Sequence, residues 1–98
     1  MPVKPSVAFA ANRPVVRRIV EAHRACNPRV FGSVPRGDDT EGSDLDLLVD
    51  AVDGATLFDV AALELELEQL LGVRVHVVTS GALRGGLRER VLAEAEPV

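Results

Sequence analysis

The chain contains FGSVPRG at positions 31–37, followed by GSDLDLLVD at positions 42–50. In the second stretch Asp44 and Asp46 alternate with leucines, which is how a short strand presents carboxylates on one face and apolar side chains on the other. Two adjacent like charges on a strand that enters a core need a cation. The expected ion is Mg²⁺, which takes oxygen ligands and usually reaches a protein through one or two carboxylates and substrate phosphates.

The flanking sequence predicts an α/β domain. Apolar side chains at helical spacing predict a helix over about 13–25, with Asn12 as its N-cap and Asn27-Pro28 ending it. Strands are predicted over 29–33, 45–50 and 73–79, and helices over 57–71 and 83–94. This order is consistent with a small mixed sheet of three or more strands flanked by helices.

The segment 57–71 carries conflicting signals. Its residues 63–68 alternate Leu and Glu with the period of a strand, but Ala, Leu, Glu and Gln are strong helix formers. Thr56 and Asp59 have the spacing of a capping box, and Gly72 stands where a helix C-cap is expected. Composition and caps together predict a helix.

Length and composition limit the possible classes of protein. The 98 residues, 47% of them hydrophobic, suffice for one domain, predicted over 13–98. The N-terminal arm at 1–12 is predicted to be a loose arm or a short turn rather than a strand. The net charge of −4 and the absence of Trp and Tyr argue against nucleic-acid binding. The single cysteine, Cys26, excludes an internal disulfide and is expected to be a small buried residue. With no leader or membrane-length apolar run, a soluble cytoplasmic protein is expected.

The two opening stretches resemble the active-site motif of the minimal nucleotidyltransferases, small members of the DNA polymerase beta-like superfamily. The elements of that motif are present as Gly32-Ser33, Arg36-Gly37 and Asp44-Leu45-Asp46. The resemblance covers about 13–98 and implies the nucleotidyltransferase fold. A P-loop is excluded because the glycine-rich stretch lacks the required lysine.

The resemblance also implies roles for particular residues. Asp44 and Asp46 would hold one or two Mg²⁺ ions. Four residues of the motif would contact ATP, namely Gly32, Ser33, Arg36 and Ser43. For Arg36 an exposed loop arginine without a ligand is the alternative.

The sequence departs from the family pattern at His76. The family usually supplies a third carboxylate from the next core strand, and the matching segment 75–79 carries a histidine there. His76 is therefore a candidate general base, because an unperturbed imidazole has a pKa of about 6.5. The alternatives are a ligand for a softer ion such as Mn²⁺ or Zn²⁺, or a strand residue in a site that has lost activity. Asp50 and Glu41 are nearby acids that would compensate if the fold brought them close.

Proteins of this family and size are commonly antitoxins paired with a helical HEPN-type ribonuclease toxin. The resemblance implies a protein adenylyltransferase that moves AMP from ATP to a tyrosine of that toxin. The alternative is a catalytically impaired relative that neutralises the toxin by binding alone. An apolar second face on the helix at 57–71, formed by Phe58, Ala62 and Leu65, suits a partner surface or is incidental. A weaker alternative is transfer to a small molecule or to RNA.

Overall fold

A computed structural model describes residues 3–98, which form a four-stranded mixed sheet with helices on both faces. In chain order the elements are α1 (Pro5–Ala10), α2 (Arg13–Ala22), β1 (Ala25–Phe31), α3 (Ser33–Arg36), β2 (Leu45–Ala51), α4 (Leu57–Leu71), β3 (Val75–Thr79), a 3₁₀ turn (Ser80–Ala82), α5 (Gly85–Glu94) and β4 (Glu96–Pro97). The predicted small mixed sheet flanked by helices is confirmed. No helix in this range is both long and apolar enough to cross a membrane.

The sheet order is β3-β2-β1-β4. Strand β1 runs antiparallel to both of its neighbours, whereas β2 and β3 are parallel. Parallel neighbours need a long crossover connection, and α4 supplies it. Because β2 lies between β1 and β3, its residues are flanked on both sides by the other two motif-bearing strands.

Helix α4 has the predicted bounds of Leu57–Leu71. The backbone N–H of Thr56 donates to Asp59 Oδ2 at 2.8 Å, and Gly72 ends the helix with a φ of 71°. One face of the helix is buried against the sheet through three leucines, Leu63, Leu67 and Leu71. Burial of that face therefore selects the helix over the strand-like alternation.

The two faces of the sheet carry different layers. Helices α1, α2 and α4 cover one face, where Leu45, Leu47 and Val49 of β2 join the main core. The opposite face carries Leu48, which packs with Leu83 and Val91 beneath α5. Since side chains alternate along a strand, Asp46 lies on the same face of β2 as Leu48.

The N-terminal segment is ordered as a helix over residues 5–10, so the prediction of a loose arm is wrong there. Phe9 is 3% exposed and belongs to the main core, and the Arg13 guanidinium carbon lies 5.0 Å from its ring centroid. Pro5 in the first turn suits a helix start because its missing N–H needs no partner there. Met1 and Pro2, which belong to the same predicted arm, lie outside the described residues.

Strand β1 begins at Ala25 rather than at 29, and α2 ends at Ala22 rather than near 25. Asn27 has a φ of 51°, and the pairing of β1 with β2 shifts register between Cys26 and Arg29. This bulge accommodates Pro28, which has no N–H to donate to the ladder. Asn27-Pro28 therefore kinks a strand instead of ending a helix.

Two predictions about single side chains need correction. Asn12 is the N-cap residue of α2 as predicted, but its side chain makes no cap hydrogen bond, and its Nδ2 donates to the Ala8 carbonyl of α1 at 2.8 Å. Cys26 is exposed on β1, opposite Asp50 of β2.

The C-terminal segment contains a strand that the sequence pattern does not predict. Helix α5 starts at Gly85, two residues after the predicted start at 83. Strand β4 then pairs with β1, with Glu96 opposite Val30. The pairing brings the end of α5 close to the end of β1.

Candidate active site

The register of the sheet brings the predicted motif segments together. Asp46 of β2 is opposite Phe31 of β1 on one side and opposite His76 of β3 on the other. Gly32 and Ser33 follow directly after Phe31. The residues predicted from three separate stretches therefore meet at one end of the sheet.

His76 lies beside the carboxylate pair, in the position expected for a third acid. Its Nε2 is 2.8 Å from Asp44 Oδ2. The imidazole therefore takes up one of the four carboxylate oxygens of Asp44 and Asp46. A neutral histidine there contributes a hydrogen bond but no negative charge.

The surroundings of Asp46 change its proton affinity. Partial burial raises its pKa above the ordinary value, and the nearby charges of Asp44 and Glu94 act in the same direction. Electrostatic interactions with His76 and Arg36 lower the pKa of Asp46 without cancelling this effect. A divalent cation beside Asp46 would offset the desolvation and repulsion of its charged form.

Gly32 makes the close approach of β1 to Asp46 possible. Its φ is 80° and its ψ is −140°, a conformation that residues with a side chain rarely adopt. A Cβ at this position would collide with Asp46 Oδ2 and lie 3.3 Å from Asp46 Cγ. Position 32 therefore requires glycine for two separate reasons.

Glu94, at the end of α5, is a site residue that sequence reasoning missed. Its Oε1 accepts a hydrogen bond from the Gly32 N–H at 3.0 Å. Both of its carboxylate oxygens also lie 3.4 Å from Arg36 Nη1. No pattern near position 94 signals this contact, which depends on the unpredicted pairing of β4 with β1.

The remaining predicted nucleotide ligands are Ser33, Arg36 and Ser43, and only Ser43 lines the cleft beside Asp44. Ser33 is half-buried at the start of α3, and the exposed Arg36 also donates from Nε to Asp38 at 3.3 Å. Ser43 Oγ accepts from the Thr40 N–H at 2.8 Å and so closes the loop ahead of β2. An open cleft of about 320 Å³ borders Ser43, Asp44 and Arg74.

Of the two acids considered as compensation for His76, Asp50 lies away from the carboxylate pair and Glu41 borders the same cleft as Asp44. Asp50 is near the far end of β2, where it accepts hydrogen bonds from Arg29 at 2.6 Å and from Ser80 at 2.7 Å. The Ser80 hydroxyl contributes most to the lowering of the Asp50 pKa. Glu41 is exposed in the loop beside the cleft. The additional acid that acts on Asp46 is instead Glu94.

The donor atoms of Asp44 and Asp46 fit a magnesium ion. Within residues 3–98, no group of three or more His, Cys, Asp or Glu side chains is placed to hold a metal. Mg²⁺ does not need such a group, because it usually keeps several waters and takes its other ligands from substrate phosphates. Two carboxylates are therefore a sufficient protein contribution.

Comparison with known proteins identifies the class. The family model described as "Nucleotidyltransferase domain" matches residues 27–97, which include every motif residue of the site. The chain belongs to the nucleotidyltransferase domain family. The expectation of a nucleotidyltransferase enzyme is confirmed at the level of this family.

Individual relatives agree with this assignment. A candidate protein adenylyltransferase of Methanocaldococcus jannaschii is 38% identical over 82% of this chain and 86% of its own length. The protein adenylyltransferase MntA of Thermococcus cleftensis is 45% identical over 66% of each chain. A solved structure described as a candidate minimal nucleotidyltransferase has a TM-score of 0.86 and 49% identity, covering 95% of each chain.

A more distant neighbour shares the fold. It is a toxin-antitoxin crystal structure with AMP-PNP, with a TM-score of 0.77 and 20% identity over 88% of this chain and 71% of that chain. At this identity the likeness shows the fold alone.

Proposed function

We propose that this protein is a cytoplasmic, Mg²⁺-dependent protein adenylyltransferase of the antitoxin type. It transfers AMP from ATP to a tyrosine of a helical HEPN-type ribonuclease toxin. The observation that carries the proposal is the placement of Asp46 between Gly32 and His76 in a chain of the nucleotidyltransferase family. The names of the relatives, which are protein adenylyltransferases, support the choice of a protein as acceptor.

The proposed reaction is an in-line displacement at the α-phosphorus of ATP. The tyrosine oxygen forms a bond to that phosphorus, the bond to the bridging oxygen of the β-phosphate breaks, and pyrophosphate leaves. Mg²⁺ bound by Asp44 and Asp46 would supply the positive charge that phosphoryl oxygens require. The Gly32 N–H, the Ser33 hydroxyl and the Arg36 guanidinium are the proposed phosphate donors, and Ser43 is a further proposed nucleotide contact.

His76 is the candidate acceptor of the tyrosine proton. Its Nε2 lies 2.8 Å from Asp44 Oδ2, so when Nε2 donates to this carboxylate, Nδ1 remains free to accept a proton. The Asp44 carboxylate then fixes the ring orientation and stabilises the imidazolium that forms. His76 in this role replaces the base function of a third carboxylate but not its metal-binding function.

Intact mass spectrometry of the co-purified partner, incubated with this protein, ATP and Mg²⁺, tests the proposal. We expect AMP-sized increments with the wild type and none with the Asp44→Asn/Asp46→Asn double variant. Asp53→Asn, which removes an exposed carboxylate from the turn after β2, is the matched control and should leave the increments unchanged. Increments that persist in the double variant would refute the assigned site.

A second candidate function is neutralisation of the partner by binding alone. It is favoured by His76, which occupies the third acidic position and engages Asp44 rather than adding a metal ligand. The exposed face of α4 supports it as well, since Phe58 is 87% and Leu65 is 58% exposed. Under this function the double variant still inhibits the partner's ribonuclease activity, and the wild type adds no AMP. If His76→Asp then produces AMP increments, the wild-type site is inactive because position 76 carries histidine instead of a carboxylate.

A further inference from the structure

The anion-binding donors of the candidate site are already engaged by a carboxylate of the same chain. Glu94 Oε1 accepts from the Gly32 N–H at 3.0 Å, and the Glu94 oxygens lie 3.4 Å from Arg36 Nη1. These two donors are among the phosphate contacts of the proposed reaction. A phosphate oxygen and the Glu94 carboxylate therefore need the same hydrogen atoms.

Electrostatics prevents both anions from sharing this place. A triphosphate would bring further negative charge next to Glu94, with Arg36 as the nearest cation. Like charges brought this close repel each other.

The ion pair between Glu94 and Arg36 is weak enough for a phosphate group to displace Glu94. At 3.4 Å its distance to Arg36 is longer than the 2.7–2.9 Å that is typical of charge-assisted hydrogen bonds. The side chain of Glu94 is 26% exposed and that of Arg36 is 52% exposed. Pairs open to water contribute little net stability, so a multivalent phosphate competes well against them.

We propose that Glu94 occupies the phosphate place in the nucleotide-free protein and is displaced by the nucleotide, so that Glu94 sets the affinity for nucleotide. This inference rests on the proposed function, because it takes ATP as the ligand of the Gly32 and Arg36 donors. Glu94 touches the donors and not the reacting atoms, so it determines affinity rather than chemistry. The protein thus contains an internal competitor of its own substrate.

Isothermal titration of the protein with AMP-PNP and Mg²⁺ tests the competition, with Glu94→Gln as the variant and Glu89→Gln as the matched control. Glu89 is exposed on the same helix, so its substitution removes the same charge away from the site. We expect Glu94→Gln to lower the Kd about tenfold, the change expected when a competing charged hydrogen bond is removed. Glu89→Gln should leave the Kd unchanged.

The NMR chemical shift of the Gly32 amide gives a readout that a merely structural role of Glu94 would not produce. Without nucleotide, the shift should differ between the wild type and Glu94→Gln. At saturation the two shifts should converge, because phosphate is then the acceptor in both proteins. A Gly32 amide in the wild type that keeps its nucleotide-free shift at saturation would contradict displacement.

The outcomes separate this inference from the proposed function. If the wild type binds AMP-PNP and Glu94→Gln binds it equally or more weakly, Glu94 positions the site instead of competing, and the inference is wrong. If neither the wild type nor any variant binds AMP-PNP, the proposed function fails and the inference fails with it. Tighter binding by Glu94→Gln with convergent Gly32 shifts supports both.

Discussion

Gly32→Ala tests whether the turn after β1 must lie against Asp46. The φ of 80° at position 32 is in a region that L-residues rarely adopt, and the strain of such a residue is about 1–3 kcal/mol. The new Cβ also collides with Asp46 Oδ2, so the carboxylate must rotate away. We expect a loss of about 2 kcal/mol in the free energy of unfolding, which for a domain of this size lowers Tm by roughly 8–16 °C.

The matched control for this variant is Gly42→Ala. A Cβ at Gly42 would meet nothing within 4 Å, and its φ is outside the positive region. Alanine there should be neutral or stabilise by up to about 1 kcal/mol, since it reduces the entropy of the unfolded chain. Urea unfolding of both variants, with AMP transfer measured in parallel, provides the comparison. Equal stability and equal transfer in Gly32→Ala and Gly42→Ala would refute the reasoning about the turn.

Three further predictions concern Asp46, Phe9 and His76. The folded-state pKa of Asp46 lies above its ordinary value of 3.8, so Asp46→Asn should raise the free energy of unfolding at neutral pH. The gain in the free energy of unfolding should shrink as the pH falls through the raised pKa towards 3.8, because wild-type Asp46 then becomes neutral as well. A difference between the two proteins in denaturant unfolding that does not change with pH would contradict this prediction. Phe9→Ala should lower stability by about 3 kcal/mol, whereas Val7→Ala, at a side chain that is 61% exposed, should change it by less than about 0.5 kcal/mol; equal effects would remove α1 from the core. His76→Asp should lower the Mg²⁺ concentration needed for half-maximal thermal stabilisation by about tenfold, and an unchanged midpoint would place position 76 beyond reach of the ion.

The parts of the fold that could be predicted from the sequence are those whose local signals agree. Strand β2 alternates acids with leucines at its start, and its apolar residues are buried while Asp46 is half-buried. In helix α4 the strong helix formers, the N-terminal capping residues and the C-terminal glycine all favour a helix, and its bounds are as predicted. In these elements tertiary packing reinforces the local preference.

The parts that could not be predicted depend on contacts between distant residues. Pro28 is a local signal for the end of a helix or strand, yet it lies inside β1. The bulge removes the need for a backbone N–H at this position, and β2 and β4 pair with β1 on its two sides. Helix α1 has only six residues, too short to be stable alone, and Phe9 anchors it in the core. Glu94 reaches Gly32 across 62 positions of sequence, a contact that no local pattern encodes.

In the candidate site, too, some residues could be predicted from the sequence and others could not. The motif resemblance led to Gly32, Asp44, Asp46 and His76, and the sheet register places all four at one end of the sheet. Their assigned roles remain predictions until activity is measured. The connection of Arg36 to Glu94 is visible only in the folded chain, because α5 approaches from the opposite end of the sequence.

The most direct test of the central claim is transfer of radiolabel from ATP to the co-purified partner in the presence of Mg²⁺. We predict that label at the α-phosphate enters the partner, that label at the γ-phosphate leaves with pyrophosphate, and that Asp46→Asn abolishes the transfer. Label entering from the γ-phosphate, or undiminished transfer of the α-label by Asp46→Asn, would contradict nucleotidyl transfer at this site.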